Sequence, residues 1–178
     1  GEQRVLVVRG SPRERGRAHG RLLADAVHAN ARAFLDEWAV GRMGRTRDEL
    51  REIRDALAPH VPAWIREELA GLAEGSGVPL EDLELLHAIP SRYHCTGTAA
   101  LPSVTADGKV YHTRSLDYAL DIGTTTRPQN HALLLVTVPE DDAQVAHASV
   151  GWAGFLGCVT GQNVAGVSVG EMGSRSSD

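Results

Sequence analysis

The spacing of apolar residues changes abruptly near residue 94, from a helix-like to a strand-like pattern. This change limits the folds that the chain can adopt. Before residue 94, apolar residues recur at the spacing of an amphipathic helix, as in Leu22, Leu23, Ala26, Val27, Ala31, Phe34, Leu35 and Trp38. After it, short apolar runs separated by turn residues are typical of strands. The sequence therefore predicts an α+β fold, with a helical N-terminal leader over 1–94 and a strand-rich segment over 95–178.

Boundary residues divide the leader into four predicted helices. The helices are predicted to begin at or beside Pro12, Thr46, Pro62 and Pro79. The first is capped by Ser11, and the third ends at Gly75-Ser76-Gly77. Gly16 and Gly20 lie inside the first helix, where they favour close backbone packing. Short connections between the helices predict a compact helical hairpin arrangement.

Turn residues divide the second half into about six predicted strands. Besides the segment that begins at Cys95, the predicted strands are Val110–Leu116, Ala132–Val138, Gln144–Val150, Phe155–Thr160 and Val164–Val169. Asp107-Gly108 marks a turn between two strands, and Gly161-Gln162-Asn163 joins the last two. The pattern predicts antiparallel strands in one sheet or a pair of sheets. Because the polar tail 173–178 directly follows a strand, we expect the fold to be incomplete at the C-terminus.

The overall charge limits the classes of partner. A formal net charge of −5 with interspersed arginines gives no clustered cationic surface, so we expect no nucleic-acid partner. The sequence shows neither a signal peptide nor a run of transmembrane length, which predicts no membrane partner and a cytoplasmic location. Two cysteines cannot form a disulfide framework. We therefore ask what each cysteine does as a thiol.

Three interpretations of Cys95 are open from its residue type and surroundings. It could be a small buried apolar residue. It could be a metal ligand with His87, His94 or His112, although their spacing matches no zinc signature, and we expect no metal. It could also be a nucleophile, which needs a base and a site that stabilises an oxyanion.

The order of the motifs around Cys95 is similar to that of a known protein family. Cys95-Thr96-Gly97 is followed by Thr105-Ala106-Asp107-Gly108-Lys109 and then by Arg114-Ser115-Leu116-Asp117. This order resembles the cysteine N-terminal-nucleophile (Ntn) hydrolases, in particular the autoproteolytic acyl-coenzyme A:6-aminopenicillanic acid acyltransferase-like family. Further similar segments are Glu14-Arg15-Gly16, Leu72–Pro79, Gly154–Gly157 and Thr160–Val167, so the resemblance covers nearly the whole chain.

The resemblance implies a fold and a mechanism. The fold would be a four-layer αββα sandwich, with residues 95–178 forming the first part of its catalytic core and residues 1–94 a propeptide or α-subunit. The chain, a zymogen, would cut itself between His94 and Cys95 and expose Cys95 as the catalytic nucleophile. The new α-amine, with an ordinary pKa of roughly 7.7–8.0, would then take the thiol proton. No cofactor is needed for such chemistry.

The resemblance also suggests roles for individual side chains. Arg114 would tune the thiolate, and Asp117 would bind the new α-amine. Thr96, Asn163 and the backbone near Gly173 are candidates for positioning the substrate or for part of the oxyanion site. Asn163 is followed by Val164 where the family usually has Glu, and a turn asparagine is common for conformational reasons. We interpret His112 as a packing or surface residue and Cys158 as a core residue.

The predicted activity is hydrolysis or transfer of an acyl group at an amide bond, as in an amidase or acyltransferase. The expected partners are a small-molecule or peptide acyl-amide substrate and the remaining part of the core or a second chain, with a homo-oligomer left open. Two alternatives remain. The chain could be an unprocessed cysteine hydrolase with a histidine as base, or an inactive Ntn-fold module for binding or assembly.

Overall fold

A computed structural model describes residues 4–89, 95–116, 122, 127, 131–141 and 143–172. It confirms the α+β class, with five α-helices in the first half, a mixed five-stranded sheet and a separate two-stranded sheet. The α-helices are α1 (Pro12–Leu22), α2 (Ala24–Ala31), α3 (Arg47–Leu57), α4 (Ala63–Ser76) and α5 (Leu80–Ala88). A π-helical stretch, Arg32–Arg42, lies between α2 and α3. In the described residues no helix has the length and apolarity to cross a membrane.

The predicted helix boundaries follow from local capping. Thr46 caps α3, because its Oγ1 accepts a hydrogen bond from the Glu49 N–H at 3.1 Å. The Glu49 carboxylate in turn accepts from the Thr46 N–H at 2.8 Å, which completes a capping box. Gly77 ends α4 with a φ of 77°, a left-handed conformation that a glycine adopts without a steric penalty.

Helices α1 and α4 pack with their backbones in direct contact. A Cβ atom on Gly16 would lie 1.9 Å from the Glu68 carbonyl oxygen, and one on Gly71 would lie 2.1 Å from the Arg13 carbonyl oxygen. Gly20 and Gly75 meet the partner helix in the same way. The close packing predicted for Gly16 and Gly20 is therefore confirmed, and α4 supplies a matching pair of glycines.

The five-stranded sheet has the order β1-β4-β5-β6-β7. Its strands are β1 (Arg4–Gly10), β4 (Ala132–Pro139), β5 (His147–Trp152), β6 (Thr160–Asn163) and β7 (Ser168–Gly170). Strand β1 runs parallel to β4, with Arg4 opposite Leu133 and Gly10 opposite Pro139, whereas the other pairs are antiparallel. The expectation of a wholly helical leader is wrong at β1, and the sheet is mixed instead of purely antiparallel. Val5-Leu6-Val7-Val8 is an apolar run with strand composition.

The last two strands of the chain, β6 and β7, lie a few residues from their predicted positions. Gly161-Gln162-Asn163, predicted to be a turn, belongs to β6, and most of Phe155–Thr160 is a loop. The turn instead lies at Val164–Val167, where the Asn163 side chain accepts backbone hydrogen bonds from Ala165 and Val167 at 3.1 and 2.9 Å. An asparagine that caps a turn in this way can also be the last residue of a strand.

The helices cover one face of this sheet. Leu6, Val8, Leu133 and Leu135 are buried in a core that also contains Phe34 and Leu72. The separate sheet is a two-stranded ribbon of β2 (Cys95–Ala100) and β3 (Tyr111–Leu116). The β3 residue Arg114 contacts Thr160 of β6 at the opposite face from the helices. The described layers are therefore helices, five-stranded sheet and ribbon, and the complete αββα sandwich stays a prediction.

A buried histidine, His19, and a half-buried one, His87, hold the loop that connects β5 to β6. Nε2 of His19 accepts a hydrogen bond from the Gly154 N–H at 3.1 Å, and Nε2 of His87 accepts one from the Leu156 N–H at 2.8 Å. Asn30 donates from Nδ2 to the Ala153 carbonyl oxygen at 2.8 Å. The helical layer thus fixes the segment that leads into Thr160.

The role of His19 predicts how stability depends on pH. Burial, assisted by the nearby His87, lowers the pKa of His19 to about 4, so the imidazole is neutral in the fold near pH 7. Between its unfolded pKa of about 6.5 and about 4, only the unfolded chain gains the proton. We expect the free energy of unfolding to fall by about 3 kcal/mol as the pH drops through this window. Denaturant unfolding from pH 7 to pH 4 measures this change.

Replacement of His19 by glutamine is the matched comparison, because glutamine offers an acceptor but does not titrate in this range. The His19→Gln variant should lose less stability than the wild type over the same interval. The remaining dependence would include His87, whose pKa burial also lowers. Parallel pH profiles for the two proteins would contradict the role given to His19.

Candidate active site

The ribbon β2–β3 places Cys95 and Arg114 beside each other. Cys95 pairs with Leu116, and Gly97 pairs with Arg114. Cys95 and Arg114 are therefore diagonal neighbours on one face of the ribbon, within reach of a long side chain. The absence of a side chain at Gly97 leaves space on this face for Met172, since a Cβ atom on Gly97 would lie 2.6 Å from Sδ of Met172.

Arg114 contacts three residues, Cys95, Glu171 and Thr160, through the three nitrogen atoms of its guanidinium group. Its Nη2 lies 2.6 Å from Sγ of Cys95 and donates to Oε2 of Glu171 at 2.9 Å. Nε donates to the Glu171 carbonyl oxygen at 2.7 Å, and Nη1 donates to Oγ1 of Thr160 at 3.2 Å. The side chain is 4% exposed, so the rigid planar fork is held in one orientation. A guanidinium beside sulfur stabilises the thiolate relative to the thiol.

Glu171, like Thr160, is a candidate site residue that the sequence analysis missed. Its Oε2 lies 3.6 Å from Sγ of Cys95, and its side chain is 39% exposed. A backbone hydrogen bond of 2.8 Å from the Glu171 N–H to the Val159 carbonyl oxygen holds it just beyond β7. The sequence signal that could have indicated Glu171 is its position two residues before Gly173, in the predicted oxyanion segment. We call Cys95, Arg114, Thr160 and Glu171 the thiol cluster.

The other predicted site residues are placed differently. Thr96 pairs with Ser115, and strand alternation puts it on the opposite face of the ribbon from Cys95. The Asn163 amide oxygen is engaged in its own turn, at the far end of β6 from Thr160. His94, Asp117 and Gly173 lie outside the described residues, and their predicted roles stay predictions.

His112 and Cys158 are separated from the thiol. His112 pairs with Ala99, four residues along β2 from Cys95, or roughly 13 Å of extended strand. Its Nδ1 lies 3.0 Å from Oγ of Ser168. Cys158 lines a cleft between α4 and the helix-facing side of the sheet, and partial burial raises the pKa of its thiol. Among the described residues no group of three or more histidine, cysteine or acidic side chains could hold a metal ion.

A cavity adjoins the thiol cluster between the ribbon and the five-stranded sheet. Its volume is about 250 Å³, and Arg114, Thr160, Leu134 and Ala148 are among its lining residues. This volume is small for a ligand site, and its apolar wall comes from the sheet face that the helices leave uncovered. The described part of the site therefore has room for a small group beside Arg114 and Thr160.

The fold and the thiol cluster define an α+β protein with a cysteine, an arginine and a glutamate in contact. No family model matches the chain. Two proteins of Dictyostelium discoideum are similar to it: dcd1B is 25% identical over 180 residues, and dcd1A is 25% identical over 184 residues. Each match covers 88% of this chain, but only 35% of dcd1B and 41% of dcd1A. The chain spans about two fifths of these relatives or less, and their names state no activity.

Proposed function

We propose that the chain is a self-processing cysteine hydrolase of the Ntn type, which cleaves or transfers an acyl group at an amide bond. The observation that carries this proposal is the 2.6 Å contact between Nη2 of Arg114 and Sγ of Cys95, at the first residue of a strand. A thiol held against a nearly buried arginine is prepared to act as a nucleophile. A cysteine that served only as a small core residue would need no such partner.

The proposed reaction starts after cleavage between His94 and Cys95. The free α-amine of Cys95 takes the thiol proton, and Sγ attacks the carbonyl carbon of an acyl amide. The tetrahedral intermediate loses the amine, which takes the proton from the protonated α-amine of Cys95, and a thioester is left on Cys95. Water then releases the acid, or an acceptor amine takes the acyl group. Arg114 stabilises the thiolate before attack and after deacylation.

An unprocessed cysteine hydrolase is the second candidate. It is favoured by the Glu171 carboxylate, whose distance of 3.6 Å from Sγ offers a base in an intact chain. The histidine base considered from the sequence is disfavoured for His112, because the ribbon register separates it from Cys95.

Intact-mass measurement and N-terminal sequencing of the purified protein test the proposed processing. We expect two pieces, residues 1–94 and 95–178, and a new terminus that reads Cys-Thr-Gly-Thr. The same preparation should then be assayed on β-lactams, bile amides, acyl-peptides and lipid amides. Active protein made up solely of chains that begin at Gly1 would contradict self-processing and favour the unprocessed hydrolase.

A further inference from the structure

The self-cleavage step needs a base other than the one that serves turnover. In the uncut chain the nitrogen of Cys95 is part of the peptide bond with His94. An amide nitrogen has its lone pair delocalised and cannot take the thiol proton. A general base in contact with the thiol must therefore be present in the precursor itself.

Among the described residues, the carboxylate that contacts the Cys95 thiol is that of Glu171. The sulfur donates to Oε2 of Glu171 across 3.6 Å, within the usual range for a hydrogen bond that involves sulfur. The alternative acidic residue of the predicted site, Asp117, lies outside the described residues. Glu171 is fixed from both sides, because Arg114 binds its side chain and its carbonyl oxygen and its N–H is bound to Val159.

The charges around Glu171 suit a proton transfer from Cys95. When the carboxylate takes the proton, one negative charge disappears from Oε2 and another appears on Sγ. Nη2 of Arg114 lies 2.9 Å from the first atom and 2.6 Å from the second. The same cation therefore compensates the negative charge before and after the transfer, which keeps the cost of moving it low.

We infer that the Glu171 carboxylate is the general base that takes the Cys95 thiol proton during self-cleavage, an inference that rests on the proposed function. Sγ then forms a bond to the carbonyl carbon of His94, and the bond from that carbon to the Cys95 nitrogen breaks. The nitrogen takes the proton from the Glu171 carboxylic acid and becomes the free α-amine. Water hydrolyses the resulting thioester: its hydroxyl group joins the His94 carbon and its proton returns to sulfur.

This assignment gives Glu171 a larger role in self-cleavage than in turnover. Once the α-amine of Cys95 is free, it is covalently attached to the nucleophile and serves as the base. The carboxylate then acts mainly as a partner for Arg114. Substitution of Glu171 should therefore slow the single cleavage event more than it slows the reaction of chains that have already been cut.

The experiment follows self-cleavage over time by intact mass in chains made by cell-free synthesis. The Glu171→Gln variant keeps an acceptor for Arg114 but removes the base, so its cleavage rate should fall at least about 100-fold, in the range that general bases contribute. The Glu171→Asp variant keeps a carboxylate on a shorter side chain and should cleave faster than Glu171→Gln. Glu67→Gln, on the exposed side of α4, is the matched control and should cleave at the wild-type rate.

The outcomes separate this inference from the proposed function. A wild-type chain that never cleaves would contradict the proposed function itself. A wild type that cleaves, together with a folded Glu171→Gln variant that cleaves as fast, would overturn the role of Glu171 and leave the proposed function standing. If thermal unfolding shows that Glu171→Gln is unfolded, Glu171→Asp decides: a folded Glu171→Asp chain without cleavage would also overturn the inference.

Discussion

The Cys95→Ala variant is expected to lose both self-cleavage and turnover completely. Alanine cannot attack the His94 carbonyl carbon, so intact-mass measurement should show only the uncut chain. Without the thiol, no thioester can form, and activity on any acyl amide should fall to background. The fold should survive, because Arg114 keeps its hydrogen bonds to Thr160 and to both the side chain and the backbone of Glu171.

Cys158→Ala is the matched control for the thiol chemistry. Cys158 lines the cleft on the helix-facing side of the sheet, whereas the thiol cluster lies at the opposite face. The control variant should be cut like the wild type and keep its activity, with at most a modest change in stability. Unchanged function in Cys95→Ala, measured beside an unfolding curve like that of the wild type, would favour the alternative in which the chain is a binding or assembly module.

The Gly71→Ala variant is expected to lose much of its stability. The added methyl group would lie 2.1 Å from the Arg13 carbonyl oxygen and 3.0 Å from the Arg17 nitrogen, and both of these atoms belong to the backbone of α1. A backbone cannot turn aside as a side chain can, so the two helices must separate. We expect a loss of about 3 kcal/mol or more in the free energy of unfolding, although alanine favours helix by about 1 kcal/mol over glycine.

Gly151→Ala tests whether this loss comes from the helix contact. Gly151 lies in β5, and a Cβ atom there would meet no atom within 4 Å. Its variant should unfold near the wild-type denaturant concentration. If Gly71→Ala were as stable as Gly151→Ala, then α1 and α4 would not pack as closely in solution as the structure shows.

The parts of the fold that were predicted correctly depend on neighbouring residues in the sequence. The capping box of Thr46 and Glu49, the left-handed Gly77 and the Asp107-Gly108 turn all act within four residues. Strand β1 depends on a partner more than 120 residues away, β4, and so its role could not be read from residues 4–10 alone. A short apolar run is compatible with a helix or a strand until its partner is known.

In the thiol cluster, too, the residues that lie near each other in the sequence were predicted and those that depend on distant strands were not. Cys95 and Arg114 were predicted from a motif order, and one ribbon explains why that spacing brings them together. Glu171 and Thr160 depend on the β6–β7 pairing, in which Thr160 lies opposite Gly170. Because Gly161-Gln162-Asn163 was predicted to be a turn, this pairing was not available to the sequence analysis. Glu171 was therefore overlooked.

The parallel pairing of β1 with β4 has a consequence for the protein after processing. Residues 4–10 belong to the first piece and residues 133–139 to the second, and the helices of the first piece share one core with β4 and β5 of the second. A cut between His94 and Cys95 would therefore yield a two-subunit protein instead of a free N-terminal peptide. Its reassembly from denaturant would be a bimolecular reaction, so the midpoint of unfolding should rise with protein concentration, as in other obligate complexes.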